Sequence, residues 1–175
     1  LTAGQLAAFT APRLNELGTD QFNALTSEQI GSLTTEQIEG LDTTHVAALT
    51  TTAFGRFAPE HIAALGTEDI QVLSTANIAA LSLDQLSALT SDQVTALNSQ
   101  QVAAVSTTAL QAFSDTQLTA LSSSQLSNLT TAQINALDTL QISTRLATQV
   151  PGLTSDQLSA LSTANLRALT TDHSS

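Results

Sequence analysis

Apolar side chains return along this chain at two fixed places in every eight residues. Counted from Leu1, the first place holds Leu, Phe or Val in every row except at Arg145. The sixth place holds Leu, Ile, Val or Phe in each of the 21 full rows. The unit reads Leu-Thr-Thr-x-Gln-Ile-x-Ala, clean at Leu33 to Gly40, Leu129 to Ala136 and Leu153 to Ala160, and no insertion breaks its register. One continuous helix does not suit this spacing. Eight residues at about 100° each move the apolar stripe by roughly 80° per unit, so the stripe circles the helix and leaves no face to bury.

The polar positions instead spell a helix start in every unit. The second position is Thr, Ser, Asp or Asn in 18 of 22 rows, and Gln follows three residues later, as in Thr26 with Gln29 and Thr90 with Gln93. That is the capping box: the hydroxyl takes one free amide and the Gln reaches back for another. Leu before the cap and Ile or Leu after the Gln, as in Leu25 with Ile30, make a hydrophobic staple. Nine of the fifteen acids fall at the fourth position, Asp20, Glu28, Glu36, Glu60, Glu68, Asp84, Asp92, Asp156 and Asp172, where they meet the positive end of a helix dipole. Pro59 falls on a first helical position, where a missing N–H costs nothing.

The expected fold is all-α: one array over residues 1–175 of about 21 short capped helices, each followed by a tight turn. A helix of about six residues is far below the roughly 12–15 needed to persist alone, so stacking on neighbours must hold it. Positions one, six and eight are expected inward, with Ala at eight allowing close backbone approach. Position seven, as at Asn23, Glu39, Gln71, Ser127 and Arg167, is expected to be exposed, so a change at Asn135 is expected to matter little, whereas Ile134 belongs to the core. The alternative is a β-solenoid, since positions six and eight alternate as on a strand. Gln, Ala and Leu favour helix, and seven glycines are few for 21 turns.

Two stretches depart from the unit. Over 139–152, Arg145 takes a core place and Leu146 a cap place, while Ile142, Leu146 and Val150 follow helical spacing. This predicts two units fused into one longer helix, stopped by Pro151 and Gly152. Over 53–59, Ala53 replaces the capping Gln while Phe54 and Phe57 enlarge the core, which predicts local repacking.

Composition narrows the function. The chain has 15 acids against four arginines and no lysine, for a net charge of −11, which excludes an electrostatic nucleic-acid surface. Without Cys there is no disulfide and no thiolate, and no apolar run approaches the roughly 18 residues of a membrane span. No signal peptide is apparent at Leu1, and without an initiator Met the chain reads as processed or as part of a longer protein.

His45, His61 and His173 all replace the fifth-position Gln, which reads as capping rather than metal ligation. If neighbouring units stack in register, Asp20, Glu28 and Glu36 form a carboxylate ladder that makes them weak candidates for surface calcium; no other cofactor is expected. Ordered threonines raise a remote ice-binding option, and Asn128-Leu129-Thr130 is a lone glycosylation sequon. No catalytic triad, P-loop or dinucleotide fingerprint occurs, so no enzymatic role is expected.

The unit resembles the Leu-Thr-Thr-x-Gln-Ile-x-Ala octapeptide arrays of large secreted and cell-surface, adhesin-like bacterial proteins, over essentially the whole chain. The resemblance implies an extracellular or surface setting and a structural or adhesive role, and it transfers no site residues. The expectation is therefore a stalk, spacer or self-assembling fibre segment. Its partners would be further copies stacked head-to-tail or flanking domains, with no nucleic acid and no membrane insertion. The alternative is a protein- or glycan-binding solenoid.

Overall fold

The computed structural model describes residues 1–143 and 150–170. Among them are twenty short α-helices, α1 (Ala3–Ala7) to α20 (Thr163–Thr170), one 3-10 turn at Val150–Gly152, and no strand. The chain is a helical solenoid; the β-solenoid alternative is set aside. The helices lie in two compact units, Leu1–Ala96 and a second beginning at Leu97.

Each unit of eight folds for local reasons. In α5 (Thr35–Glu39), Thr34 is extended (φ −85°, ψ 158°) and its hydroxyl accepts the Gln37 N–H at 3.2 Å. Gln37 Oε1 accepts the Thr34 N–H at 2.8 Å, completing the box. The Ile38 N–H donates to the Thr34 carbonyl, and the Leu41 N–H closes the far end onto the Ile38 carbonyl, both at 3.1 Å. Among the described residues no φ is positive, so these turns need no left-handed residue, and few glycines suffice.

Packing skips two neighbours. Within the first unit α5 packs on α8 (Pro59–Ala64), and α9 (Thr67–Val72) packs on both α6 (Thr43–Ala47) and α12 (Ser91–Ala96). In the second, α17 (Thr131–Ala136) packs on α14 (Thr107–Gln111) and α19 (Ser155–Ala160). Residues three units apart in sequence thus lie on adjacent superhelical turns. The core is a column of sixth-position residues (Ile30, Ile38, Val46 and Ile62 are fully buried) walled by first-position leucines such as Leu33 and Leu65. Each such side chain, moved from water, supplies about 1.5–3 kcal/mol, which is how helices of five or six residues persist.

Two expectations about facing need correction. Among the described residues the fifth position, assigned to capping alone, is buried from Gln37 onward, whereas eighth-position alanines such as Ala48, Ala64 and Ala136 are only half-buried. The reason is that the fifth side chain has a second task, described below. At 53–59, Ala53, Phe54 and Phe57 are buried, with the two rings 5.6 Å apart and Phe57 edge-on to His61 at 5.9 Å. The fused helix expected over 139–152 depends on 144–149, including Arg145 and Leu146, which lie outside the described residues; the flanks are α18 (Thr139–Gln141) and the 3-10 turn.

Candidate functional site

The most regular polar feature of the chain is a ladder of side-chain to backbone bonds between superhelical turns. Gln37 Nε2 donates to the Phe9 carbonyl at 2.6 Å and to that of Leu6 at 3.0 Å. Gln85 reaches Phe57 at 2.8 Å and Gln93 reaches Leu65 at 2.7 Å. In the second unit Gln125 reaches Leu97 at 2.9 Å, Gln133 reaches Val105 at 2.6 Å and Gln157 reaches Leu129 at 2.6 Å. Each of these rungs spans 28 residues, from the fifth position of one unit to the first position of the unit three before it. The carbonyl end of the amide caps its own helix while the NH2 end holds the previous turn. Both groups are buried and both are satisfied, which is what a buried amide requires.

Other residues at this position do the same work differently. His61 Nδ1 accepts the Ala58 N–H at 3.2 Å, and its Nε2–H donates to the Leu33 carbonyl at 2.9 Å. His45 stands between two acceptors, the Leu17 carbonyl and the Asp42 carboxylate, each 2.7 Å from a ring nitrogen. The hydrogen bonds from His45 hold the Asp42 carboxyl below its ordinary pKa. Asn77 reaches the Leu49 carbonyl at 3.0 Å, but its side chain is too short to cap as well, and its buried Oδ1 has no partner. Where Ala53 offers no donor, Arg56 supplies one: its Nη1 lies 2.5 Å from the Leu25 carbonyl, 28 residues before Ala53.

The seventh position also bridges turns, contrary to expectation. Asn15 Nδ2 donates to the Gly40 carbonyl at 2.8 Å and its Oδ1 accepts the Asp42 N–H at 3.2 Å. Asn23 does the same with Ala48 and Thr50, and Asn135 with Ala160 and Ser162. Asn135 is exposed yet clasps two backbone groups, so it is not a neutral position. At the eighth position Gly40 is held by proximity, because an added Cβ would lie 2.3 Å from the Ala11 Cβ.

Asp20, Glu28 and Glu36, the weak calcium candidates, are exposed in the first turns of α3 (Thr19–Asn23), α4 (Ser27–Gly31) and α5. Among the described residues no group of three or more acids or histidines is placed to hold a metal ion. His173 and Asp172 lie outside the described residues. Among the described residues two hollows stand out. One is lined by Phe9, Pro12, Thr34 and Gln37, and the other by acids around Asp42 and Asp69.

A family model described as the ALTTAQ repeat matches residues 1–35 and 62–99, less than half of the chain. The chain is thus a repeat array with units similar to that family's. No curated protein matches it.

The inter-turn role of Gln was missed in the sequence, though a signal was present. A capping box accepts Glu as readily as Gln. Yet this acidic chain places nine acids one residue earlier and no Glu at all at the fifth position. Only a need for the amide N–H explains that choice.

Proposed function

We propose that this chain is a structural repeat module of a bacterial surface or extracellular protein, serving as a stalk, spacer or fibre segment rather than as a catalyst. The observation that carries this reading is the ladder inside each compact unit, from Gln37 to Gln93 in the first and from Gln125 to Gln157 in the second. Its buried polar side chains are spent on holding one turn to the next. The outer positions present mostly Thr, Ser and carboxylates, as around Thr34 to Glu36 and Thr90 to Asp92, without aromatic anchors of the kind that dominate recognition surfaces.

The same ladder supports self-stacking or continuation into a longer array. Gln5 and Gln21 make the capping bond with Oε1, at 2.9 and 3.0 Å, but remain exposed where later glutamines are buried against an earlier turn. Their amide N–H groups suit the carbonyls of a preceding turn, from a flanking segment or from another copy. A heterologous contact of this kind propagates without closing.

The test is sedimentation velocity with electron microscopy across protein concentrations, with and without calcium. Rods or uniform filaments are expected, filaments signifying self-stacking and rods a spacer. Compact particles at every concentration would overturn the reading. Antibody labelling of intact against permeabilised source cells tests the surface setting.

A further inference from the structure

Asp69 is the one carboxylate at the fifth position, and it is only 5% exposed. It sits on α9, whose cap residue is Gly66, so no side chain caps the Asp69 N–H. Asp69 Oδ2 accepts the Gly66 N–H at 2.9 Å, the capping half of the usual pair of bonds. The other half is missing. The rule of 28 residues assigns Asp69 to the Leu41 carbonyl, which receives no donor from the described residues, whereas the neighbouring rungs His61 to Leu33 and Asn77 to Leu49 are both made. Asn77 has the same length and branching as Asp69 and makes the opposite choice, reaching the carbonyl and leaving its cap oxygen unpaired. A four-atom side chain at this position therefore has two seats, and this molecule shows both occupied.

An ionised carboxylate has only one of these seats open to it, since it cannot donate to a carbonyl. Apart from the Gly66 N–H, the charges nearest Asp69 favour its neutral form. Glu68 lies beside it on α9; Glu39 and Asp42 line the hollow it shares with Leu41 and Gly66. His45 on α6 is turned toward Asp42 and Leu17, and Asp92 on α12 is exposed. Neither ion pair of the described residues includes Asp69.

We propose that Asp69 is a proton-operated latch between two superhelical turns. Protonated, its carboxyl swings to the Leu41 carbonyl and closes the rung; ionised, it retreats to the Gly66 N–H and leaves the turn unlatched. Burial, followed by the nearby Glu68 and Asp42 charges, raises the pKa of this group against the lowering effect of the Gly66 bond. A folded-state pKa above the unfolded one means stability that is complete below the unfolded value and lost as pH rises through the folded value. Opening at α9 is thus favoured toward neutral pH and closure in mild acid.

The experiment compares the whole chain with Asp69→Asn, the isostere of the protonated acid, at about pH 4 and about pH 7.5. The variant is expected to melt about 2–4 °C higher near neutrality, with the gap shrinking in acid. The substitution also removes one of the net −11 charges near neutrality, so Asp84→Asn, at an exposed carboxylate, is run beside it and its gap, the effect of one charge alone, is subtracted. A gap of the same size at both pH values would overturn the latch. The second measurement is amide exchange at Gly66 in the unaltered chain, corrected for the intrinsic pH dependence. Protection is expected to fall about tenfold on acidification as the carboxyl leaves. Constant protection, with the Asp69 carboxyl titrating at an ordinary value, would equally sink it.

Discussion

At the scale of a single residue, the fifth position decides whether two turns hold together. Gln85 isolates the point, because its Oε1 takes the Ser82 N–H at 2.9 Å and its Nε2 serves the Phe57 carbonyl. Gln85→Ala loses both bonds and is expected to cost about 2 kcal/mol. Gln85→Glu keeps the cap but sets a buried carboxylate against a carbonyl, so it is expected to be worse than Ala at neutral pH and to recover in acid. Chemical denaturation of both variants at two pH values checks the order; Glu equal to wild type at neutral pH would refute the donor role. Arg56 offers the complementary case. Arg56→Ala removes the Leu25 rung and is expected to cost about 1–2 kcal/mol, and adding Ala53→Gln is expected to restore it. Additive losses in that double variant would show that Arg56 does not stand in for the missing Gln. The caps were legible here because they need only local spacing. The rungs were not, because 28 residues separate the partners and the accepting group is backbone, which leaves no mark of its own in the sequence.

At the scale of the helix and its turn, the octapeptide register located each start, and the observed N-caps at Thr34, Ser82, Ser114 and Thr130 fall where the Thr/Ser positions stand. Facing was harder to read. Position eight looked inward because it is small, but smallness there reflects contact between turns, not depth. Gly40, at position eight, shows that contact, and Gly31, at position seven, shows its absence. A Cβ at Gly40 meets the Ala11 Cβ at 2.3 Å, whereas one at Gly31 finds nothing within 4 Å. Gly40→Ala is therefore expected to destabilise by about 1–3 kcal/mol through overpacking. Gly31→Ala, inside α4, is expected to stabilise by about 0.5–1 kcal/mol. Thermal melts of the pair test this, and the same sign for both would contradict the packing. Position seven fails as a purely exposed site for a related reason. Asn135→Ala removes two inter-turn bonds, and a loss of about 1 kcal/mol is expected in place of the neutrality that exposure alone implies. Hydrogen exchange at Ser162, whose N–H that side chain accepts, reports it directly.

For the molecule as a whole, repeat arrays add nearest-neighbour terms, so local weak points set where the chain opens and under what conditions. Two carboxyls in the first unit pull the pH response in opposite directions. Asp42 is held low by its bonds from His45, so what it contributes is present above its unfolded pKa and lost as pH falls through the folded value. Asp69 is held high, chiefly by burial, so its contribution is present below its unfolded pKa and fades as pH rises through the folded value. Together they place the most stable condition of this unit in mild acid, near the ordinary carboxylate range, with a decline on either side. Melting temperatures taken across pH are expected to show that maximum. Asp69→Asn should flatten the neutral side and leave the acid limb in place, whereas Asp42→Asn should flatten the acid side and also draw the neutral decline to lower pH, because the Asp42 charge is one of those that raise the Asp69 pKa. A profile rising monotonically to neutral pH, as ion-paired proteins commonly give, would mean that the ladder does not govern how this array comes apart.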